Sequence, residues 1–355
     1  MVKNIVITGD TITGKTLIAL GIAAKLRTAG KEVGYFKPVG TKSFDHSTID
    51  HDADEDAVVM KSVLELKSEV SCICPIIRTK SSYDEFLRAG HDKLLDQIMT
   101  CYTKLSSGKD IMLIEGTKAP WHLLHVGLST AQIATKLEAS VICLVNFPDI
   151  TAIDDILLQR EFFKSYGVEE ITVVLNLVPP MLKGTIHNHI REFIEENGMH
   201  YGGAIYQNRE LFSPSVREIL RALDGQIITG EDHIDSVIVD QFMVGSMAPE
   251  NALKWFRRAK HKAVITSGDR SDICLAAMET DTNLLILTGG MGPDIRTVSR
   301  AKELGIPIIM TAHDTYTTGQ IVDNLVATVT PENKEKIALV ERIIGEALNL
   351  SHLGI

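Results

Sequence analysis

Gly9-Asp10-Thr11-Ile12-Thr13-Gly14-Lys15-Thr16 is a complete G-x-x-x-x-G-K-[ST] stretch. With that spacing a loop between a strand and a helix can wrap its backbone amides around phosphate oxygens. Lys15 brings a positive charge to the outer phosphates. Thr16 places a hydroxyl where Mg²⁺ would sit at the helix N-terminus, and Gly9, Thr11 and Gly14 lie in the part of the loop that must approach the ligand closely. The context agrees with the motif: the apolar run Asn4 to Thr8 precedes it, and helical periodicity from Lys15 to Ala29 follows. The expected ligand is a nucleotide.

A phosphate loop alone moves no phosphate, because transfer needs a carboxylate to hold the metal and charge around the moving group. Glu115 follows the apolar run Ile111 to Ile114 and precedes Gly116, so it would stand at a strand end. Asp50, Asp52, Asp54, Glu55 and Asp56 form an acidic run that can supply a further ligand, or can simply favour the first turn of a helix. Lys37, in Gly34-Tyr35-Phe36-Lys37-Pro38-Val39, would lie at the end of a second strand, on the edge where open α/β sheets bind ligands. Lys15, Lys37 and Glu115 are therefore the candidate catalytic residues. His122 and His125 stand at one-turn spacing without a third ligand, and a solvent-facing or dimer-facing helix accounts for them better than a metal does.

Positioning such residues requires a sheet, and the chain alternates short β-rich runs with amphipathic helical stretches along almost its whole length. That is the pattern of parallel sheets covered by helices, so the fold class is α/β. In the first half the runs are Asn4 to Thr8, Val33 to Phe36, Ile111 to Ile114, Val141 to Val145, Ile171 to Leu175 and Gly203 to Ile205. Helical periodicity falls at Tyr83 to Leu105, Ala152 to Ser165 and Ile186 to Asn197. A second set of strands is expected at Ser236 to Val239, Ala263 to Thr266, Leu284 to Leu287, Ile308 to Thr311 and Val326 to Val329, with helices at Ser271 to Glu279 and Ile295 to Leu304. Tyr206 to Gly230 reads as the connection. At about 150 residues per domain, 355 residues make two domains, expected at 1–215 and 216–355.

Composition sets the class. A net charge of −10 with no basic cluster argues against nucleic acid and anionic lipid as partners. Five cysteines scattered through apolar segments argue against a disulfide framework and for a reducing cytoplasm. No leader and no apolar run of membrane-spanning length is visible.

Taken together, the phosphate loop, Gly34 to Val39, Ile114-Glu115-Gly116 and Val174-Leu175-Asn176 resemble, in order and spacing, the ATP-binding fold of dethiobiotin synthetase. The resemblance covers residues 1 to 215. It implies ATP, Mg²⁺ held by Thr16, Glu115 and an acid of the fifties run for which Asp56-Ala57 matches best, adenine held by Asn176, and Lys37 facing the phosphates or the acyl-accepting group. The glycine pair expected after Glu115-Gly116 is replaced by Thr117-Lys118-Ala119-Pro120-Trp121, which argues against biotin synthesis.

In the second half, Ser267-Gly268-Asp269-Arg270-Ser271-Asp272 and Leu287-Thr288-Gly289-Gly290, with Val244-Gly245-Ser246-Met247, resemble the DRTGG domain. Loops ending three strands would bring Asp269, Arg270, Gly289 and Gly290 to one sheet edge. They would serve there as an anion site, or Asp269 and Arg270 would form a structural ion pair or a subunit contact. The order of the two domains is that of the N-terminal region of long phosphotransacetylases, without their catalytic domain, so acetyl transfer is not expected. The combined reading is an ATP/Mg²⁺-binding regulatory homodimer sensing a small anionic metabolite. The alternative is an ATP-dependent ligase that activates a small carboxylate or carbamate.

Overall fold

The computed structural model describes residues 2–10, 14–41, 53–79, 86, 88, 90–208, 211, 213–325 and 334–354. The chain divides into two compact units: Met1–Asn208 together with Val329–Ile355, and Arg209–Thr328.

The first unit is built on a six-stranded parallel sheet. Its strands are β1 (Lys3–Gly9), β2 (Val33–Phe36), β5 (Ile111–Glu115), β6 (Ser140–Asn146), β7 (Ile171–Val178) and β8 (His200–Tyr206), in the order β2-β5-β1-β6-β7-β8. A small parallel pair, β3 (Val39–Thr41) with β4 (Ile76–Arg78), stands beside it. The strands are near-continuous apolar runs because helices cover both faces: Ile5, Val6, Ile7, Leu113, Ile142 and Val174 are all buried. Each such side chain contributes about 1.5–3 kcal/mol on burial. In β1, Ile7 is level with Glu115 of β5 and Gly9 with Leu144 of β6. All six carboxyl ends therefore open on one edge.

Helix α1 (Lys15–Thr28) springs from the carboxyl end of β1 and is apolar on most of its circumference. That pattern is explained by the last helix of the sequence, Lys334–Ala347, which packs along it. Gly21 of α1 permits the approach, since a Cβ there would stand 2.4 Å from the Ile344 Cβ. Lys25 then donates to the Leu348 carbonyl at 2.9 Å, and Asn349 donates its amide to Gly202 of β8 at 2.9 Å. The last helix thus packs with the first unit, and not with the 216–355 domain expected from its place in the sequence.

The second unit is a five-stranded sheet of β9 (Gln226–Thr229), β10 (Gln241–Val244), β11 (Lys262–Ser267), β12 (Thr282–Thr288) and β13 (Ile308–Met310). Its order is β10-β11-β12-β13-β9, with β9 antiparallel to its neighbour and the rest parallel. Two expectations shift here. Ser236 to Val239 is not a strand: Ile238 makes one isolated bridge to Ser215 and Val239 is buried in the core. The stretch that reads as a connection supplies β9. Both β9 and β10 are four-residue edge strands with polar positions, so they lack the long apolar run by which a central strand is recognised. The helix expected from Tyr83 is interrupted at Gly90, whose φ is 79°: the described residues Phe86 and Arg88 before it are helical, and His91–Ser106 follows it. The last expected strand, Val326 to Val329, lies outside the described residues, as do residues 80–85. Among the described residues no helix is long and apolar enough to cross a membrane.

The α1 contact yields a signed test. Gly21→Ala improves helix propensity by about 1 kcal/mol, yet should destabilise the protein in urea because the added methyl overlaps Ile344. In an Ile344→Gly background, which removes the opposing Cβ, the same change should become stabilising by about 0.5–1 kcal/mol. Additive effects of the two substitutions would show that the helices do not meet there.

Candidate phosphate-loop site

Gly14 takes the left-handed conformation (φ 64°, ψ 34°) and turns the chain into α1, a backbone state that a side chain makes costly. No side chain caps that helix N-terminus. Lys15 folds back over the loop and donates to the carbonyls of Asp10 at 3.0 Å and Gly9 at 3.4 Å. Thr16 donates to Glu115 Oε1 at 3.3 Å. Thr11 lies outside the described residues, and Gly9 closes β1.

Lys37 follows β2 directly, its backbone amide held by the Ile73 carbonyl at 2.9 Å. Its ammonium sits among three carboxylates: Asp54 Oδ1 at 3.0 Å, Glu115 Oε1 at 3.3 Å, and Asp56, which accepts a short hydrogen bond from it. Asp54 and Asp56 come from the start of α2 (Glu55–Val63). Asp54 is the N-cap of that helix and accepts from the Ala57 amide at 3.1 Å and the Thr41 amide at 2.9 Å. Gly40 leaves room for it, since a Cβ there would lie 2.4 Å from Asp54 Oδ2. Tyr35, fully buried, donates its hydroxyl to Glu115 Oε2 at 2.8 Å.

Burial opposes the charge on Lys37, but Asp56, Glu115 and Asp54 outweigh it and hold the ammonium well above the ordinary lysine range. Burial lifts Glu115 and Asp54 above the usual carboxylate range, with Lys37 pulling the other way. At Asp56 the balance reverses: Lys37 outweighs burial and, with hydrogen bonds from Lys37 and Thr16, keeps the carboxyl low. Lys15 is lowered by burial, which the attraction of Glu115 does not offset, and by repulsion from Lys37. Tyr35 is raised by burial and by Glu115. Three carboxylates thus face one central ammonium.

Sequence spacing therefore brings Lys15, Thr16, Lys37, Asp56 and Glu115 to one place. It left Asp54 as one of five acids in the run and gave Tyr35 no role. The signal for Asp54 was its position as an aspartate immediately before a helix with acids in its first turn; Tyr35 left none. Among the described residues no group of three or more His, Cys, Asp or Glu stands as a metal cluster. Mg²⁺ typically takes only one or two carboxylates and completes its shell with phosphate and water. The hard oxygens of Thr16, Glu115 and Asp56 fit such a partial set.

Asn176 lies on the same carboxyl edge, level with Asn146 of β6, to which its amide donates at 3.4 Å. The register breaks between Leu175 and Val178, and Leu177 has φ 52°. Asn176 therefore sits beside a bulge, a device that re-aims a side chain. His122 and His125 are not one turn apart on an α-helix: Leu123 is left-handed (φ 65°) and a 3₁₀ turn follows. His122 Nδ1 instead lies 3.3 Å from Arg78 Nη1. Arginine has no acceptor, so the guanidinium donates.

In the second unit, Arg270 pairs with Asp272 through two bonds of 2.9 and 3.1 Å and donates to the Met247 carbonyl at 3.1 Å. The bidentate pair is with Asp272, two residues along, rather than with Asp269. Gly289 (φ 76°) and Gly290 (φ 65°) give their amides to His313 at 2.8 Å and Thr311 at 2.9 Å. These glycines are needed for the turn, and their amides are engaged within the fold.

A strand, a glycine-flanked lysine loop and a helix on a parallel sheet define a P-loop α/β protein. Residues 3–215 match the family model of an AAA domain and residues 218–325 that of the DRTGG domain. The first match spans well over half the sequence, and the chain belongs to that AAA domain family, here joined to a DRTGG domain. It is 25% identical over 378 residues to the phosphate acetyltransferase of Nitratidesulfovibrio vulgaris, an alignment covering 100% of this chain and 51% of that protein. It is 25% identical over 224 residues to the ATP-dependent dethiobiotin synthetase BioD of Methanocaldococcus jannaschii, covering 61% of this chain and 100% of that one. The chain spans about half the length of the phosphate acetyltransferases it matches, and its relation is to their N-terminal region. The CBS and DRTGG domains of the Clostridium perfringens pyrophosphatase regulatory region align at 21% identity, over 48% of this chain and 70% of that one, with a TM-score of 0.28.

The charge arrangement predicts the behaviour of Lys37→Met. Removing one partner of a buried ionic group costs about 3–5 kcal/mol, so the variant should be destabilised by that amount at pH 7. In the parent, Lys37's raised value keeps its contribution constant until pH rises through it, and Asp56's lowered value keeps its own until pH falls below the ordinary aspartate range. Both are flat between pH 5 and 7. In the variant the carboxylates lose their cation while burial persists, so Glu115 and Asp54 rise further above their unfolded values, Asp56 loses the pull that kept it low, and protons favour the folded state more than in the parent. The deficit should narrow from pH 7 to pH 5 in urea titrations; a constant deficit would contradict the buried cluster.

Proposed function

We propose that the chain binds ATP with Mg²⁺ at the phosphate loop and acts as a cytoplasmic regulatory protein. In this reading the DRTGG domain takes a small anionic metabolite at the edge carrying Asp269, Arg270, Gly289 and Gly290, and forms a homodimer. The observation that carries the nucleotide reading is the convergence of Lys15, Thr16, Lys37 and Glu115 at the carboxyl end of β1 and its neighbours. ATP as the nucleotide is supported by the ATP-dependent relative named above, and the regulatory role by the relation to the N-terminal region of phosphate acetyltransferases. Asn176 would read the adenine edge, since its amide offers both donor and acceptor. Thr16, Glu115 and Asp56 would hold Mg²⁺, which when bound neutralises phosphate charge. Lys37 keeps its proton at neutral pH and would orient the outer phosphate while Tyr35 holds Glu115 in place.

A ligase that activates a small carboxylate or carbamate is the second reading. It is favoured by the buried cation Lys37 facing an open cleft beside Lys15. The two readings part on turnover: a ligase consumes ATP when given its acceptor, whereas a sensor does not.

Mg-ATP at a hundred times its Kd would add about 2.7 kcal/mol to stability, and Lys15→Ala should remove most of the resulting rise in Tm while leaving the ligand-free Tm close to the parent's. Glu115→Gln should retain nucleotide but weaken its Mg²⁺ dependence, and Asn176→Ala should narrow the preference for ATP over GTP. Equal ATP shifts in parent and Lys15→Ala would overturn the reading. For the second domain, light scattering of the parent at micromolar concentration should show a dimer.

A further inference from the structure

Two of the five cysteines differ from the rest. Cys74, Cys143 and Cys274 are buried, and burial pushes each of these thiols up, Cys274 to about 12. Cys72 and Cys101 are only partly buried. Cys72 belongs to the short helix Val70–Ile73 and Cys101 to the helix His91–Ser106, and the two helices pack together. Cys72 Sγ donates to the Cys101 carbonyl at 3.8 Å, and the Cys101 thiol is itself hydrogen-bonded to Cys72. Their surroundings are fixed. Gln97, one turn before Cys101, donates to the Pro75 carbonyl at 2.8 Å, and Tyr102 donates to Asn4 Oδ1 at 2.7 Å. The Ile73 carbonyl, next after Cys72, takes the Lys37 amide at 2.9 Å. A disulfide requires cysteines that the backbone already holds close together, and this packing supplies that.

The two thiols are unequal. Burial, then the hydrogen bond to Cys72 and the charge of Cys72, push the Cys101 thiol up to about 11, against the pull of Lys104. Cys101 therefore keeps its proton at neutral pH, and Cys72 is the sulfur that meets an oxidant first. Once Cys72 has become a neutral group, the charge that helps to hold the Cys101 proton is gone, and Cys101 is freed to react in turn.

We propose that Cys72 and Cys101 form a reversible redox pair, oxidised by a hydroperoxide to a disulfide that ties the short helix Val70–Ile73 to the helix His91–Ser106. The Cys72 sulfur, having given up its proton, attacks one peroxide oxygen. The O–O bond breaks, the sulfur is oxidised to a sulfenic acid, and the departing oxygen takes the proton and leaves as an alcohol, or as water when the oxidant is hydrogen peroxide. The Cys101 sulfur then attacks the Cys72 sulfur, the S–O bond breaks, and the hydroxyl leaves with the Cys101 proton as water. Two thiols are oxidised to one disulfide and one hydroperoxide is reduced. In a reducing compartment such a bond is transient, the form that redox sensing takes there. The crosslinked segment is the one whose Ile73 carbonyl seats Lys37.

The test treats the reduced full chain with hydrogen peroxide, caps the remaining thiols by alkylation and maps the peptides by mass spectrometry. The expected product is a Cys72 peptide joined to a Cys101 peptide, with two free thiols lost and both recovered by dithiothreitol. That map is made on the parent, so it decides the pairing even if a variant folds poorly. In Cys101→Ser the reaction should stop at a sulfenic acid on Cys72, captured by dimedone. In Cys72→Ser the rate of thiol loss should fall about tenfold or more. The closed loop should raise the urea midpoint of the oxidised parent above that of the reduced one. Survival of all the thiols overturns the proposal, as does a bond from Cys72 to Cys74 or to a second copy of the chain. Thiol loss as fast in Cys72→Ser as in the parent overturns the order of the steps. A urea midpoint that falls on oxidation also counts against the pair, since the fold would then have to distort to make the bond.

Discussion

The first unit is organised around one buried ammonium. Lys37 meets Asp54 and Asp56 from the start of α2 and Glu115 from the end of β5, three positions that would repel one another without it. In a low-dielectric setting, withdrawing such a cation leaves charges that neither water nor a partner satisfies. Its value is geometric as much as energetic, because a buried ion pair adds little stability over a well-packed apolar one. It fixes where the acids stand. Glu115 Oε1 accepts from Thr16 and faces Lys37, while Tyr35 holds Oε2.

How much of this could be read in advance depended on the range over which each sequence signal acts. The lysine loop, Lys37 and Glu115 carry local signatures: a fixed spacing, or a charged residue directly after an apolar strand. Asp54 was visible only as one of five acids, since choosing among them requires knowing that Gly40 leaves space for its carboxyl and that Thr41 donates to it. Tyr35 looks like any core aromatic until its hydroxyl is seen beside Glu115. The central strands were legible because burial on both faces makes them continuously apolar. The edge strands β9 and β10 were not, because half-exposed strands do not show that run.

The second unit shows how a sequence motif can serve its own fold. The paired glycines after β12 suggest amides offered to a ligand, yet both amides are taken by carbonyls of the loop after β13. A close approach explains Gly268 in the same way, since a Cβ there would lie 1.7 Å from the Met291 carbonyl. Left-handed φ and tight backbone contacts require glycine whether or not anything binds. Arg270 is likewise held by Asp272 and Met247, so an incoming anion must compete with a carboxylate already in place.

The return of the last helix to α1 has a consequence in time. The whole of Arg209–Thr328 is synthesised before the helix that covers α1 exists, so the first unit emerges from the ribosome with the apolar face around Gly21 open to water. Units generally fold as they emerge, which lets the inserted unit complete its sheet while the earlier one still lacks its last layer. Contacts between residues far apart in the sequence, such as Lys25 with Leu348, form late and carry an added loop-closure cost. The nucleotide-loop helix is therefore the part of the first unit whose final packing waits for residues made long after it.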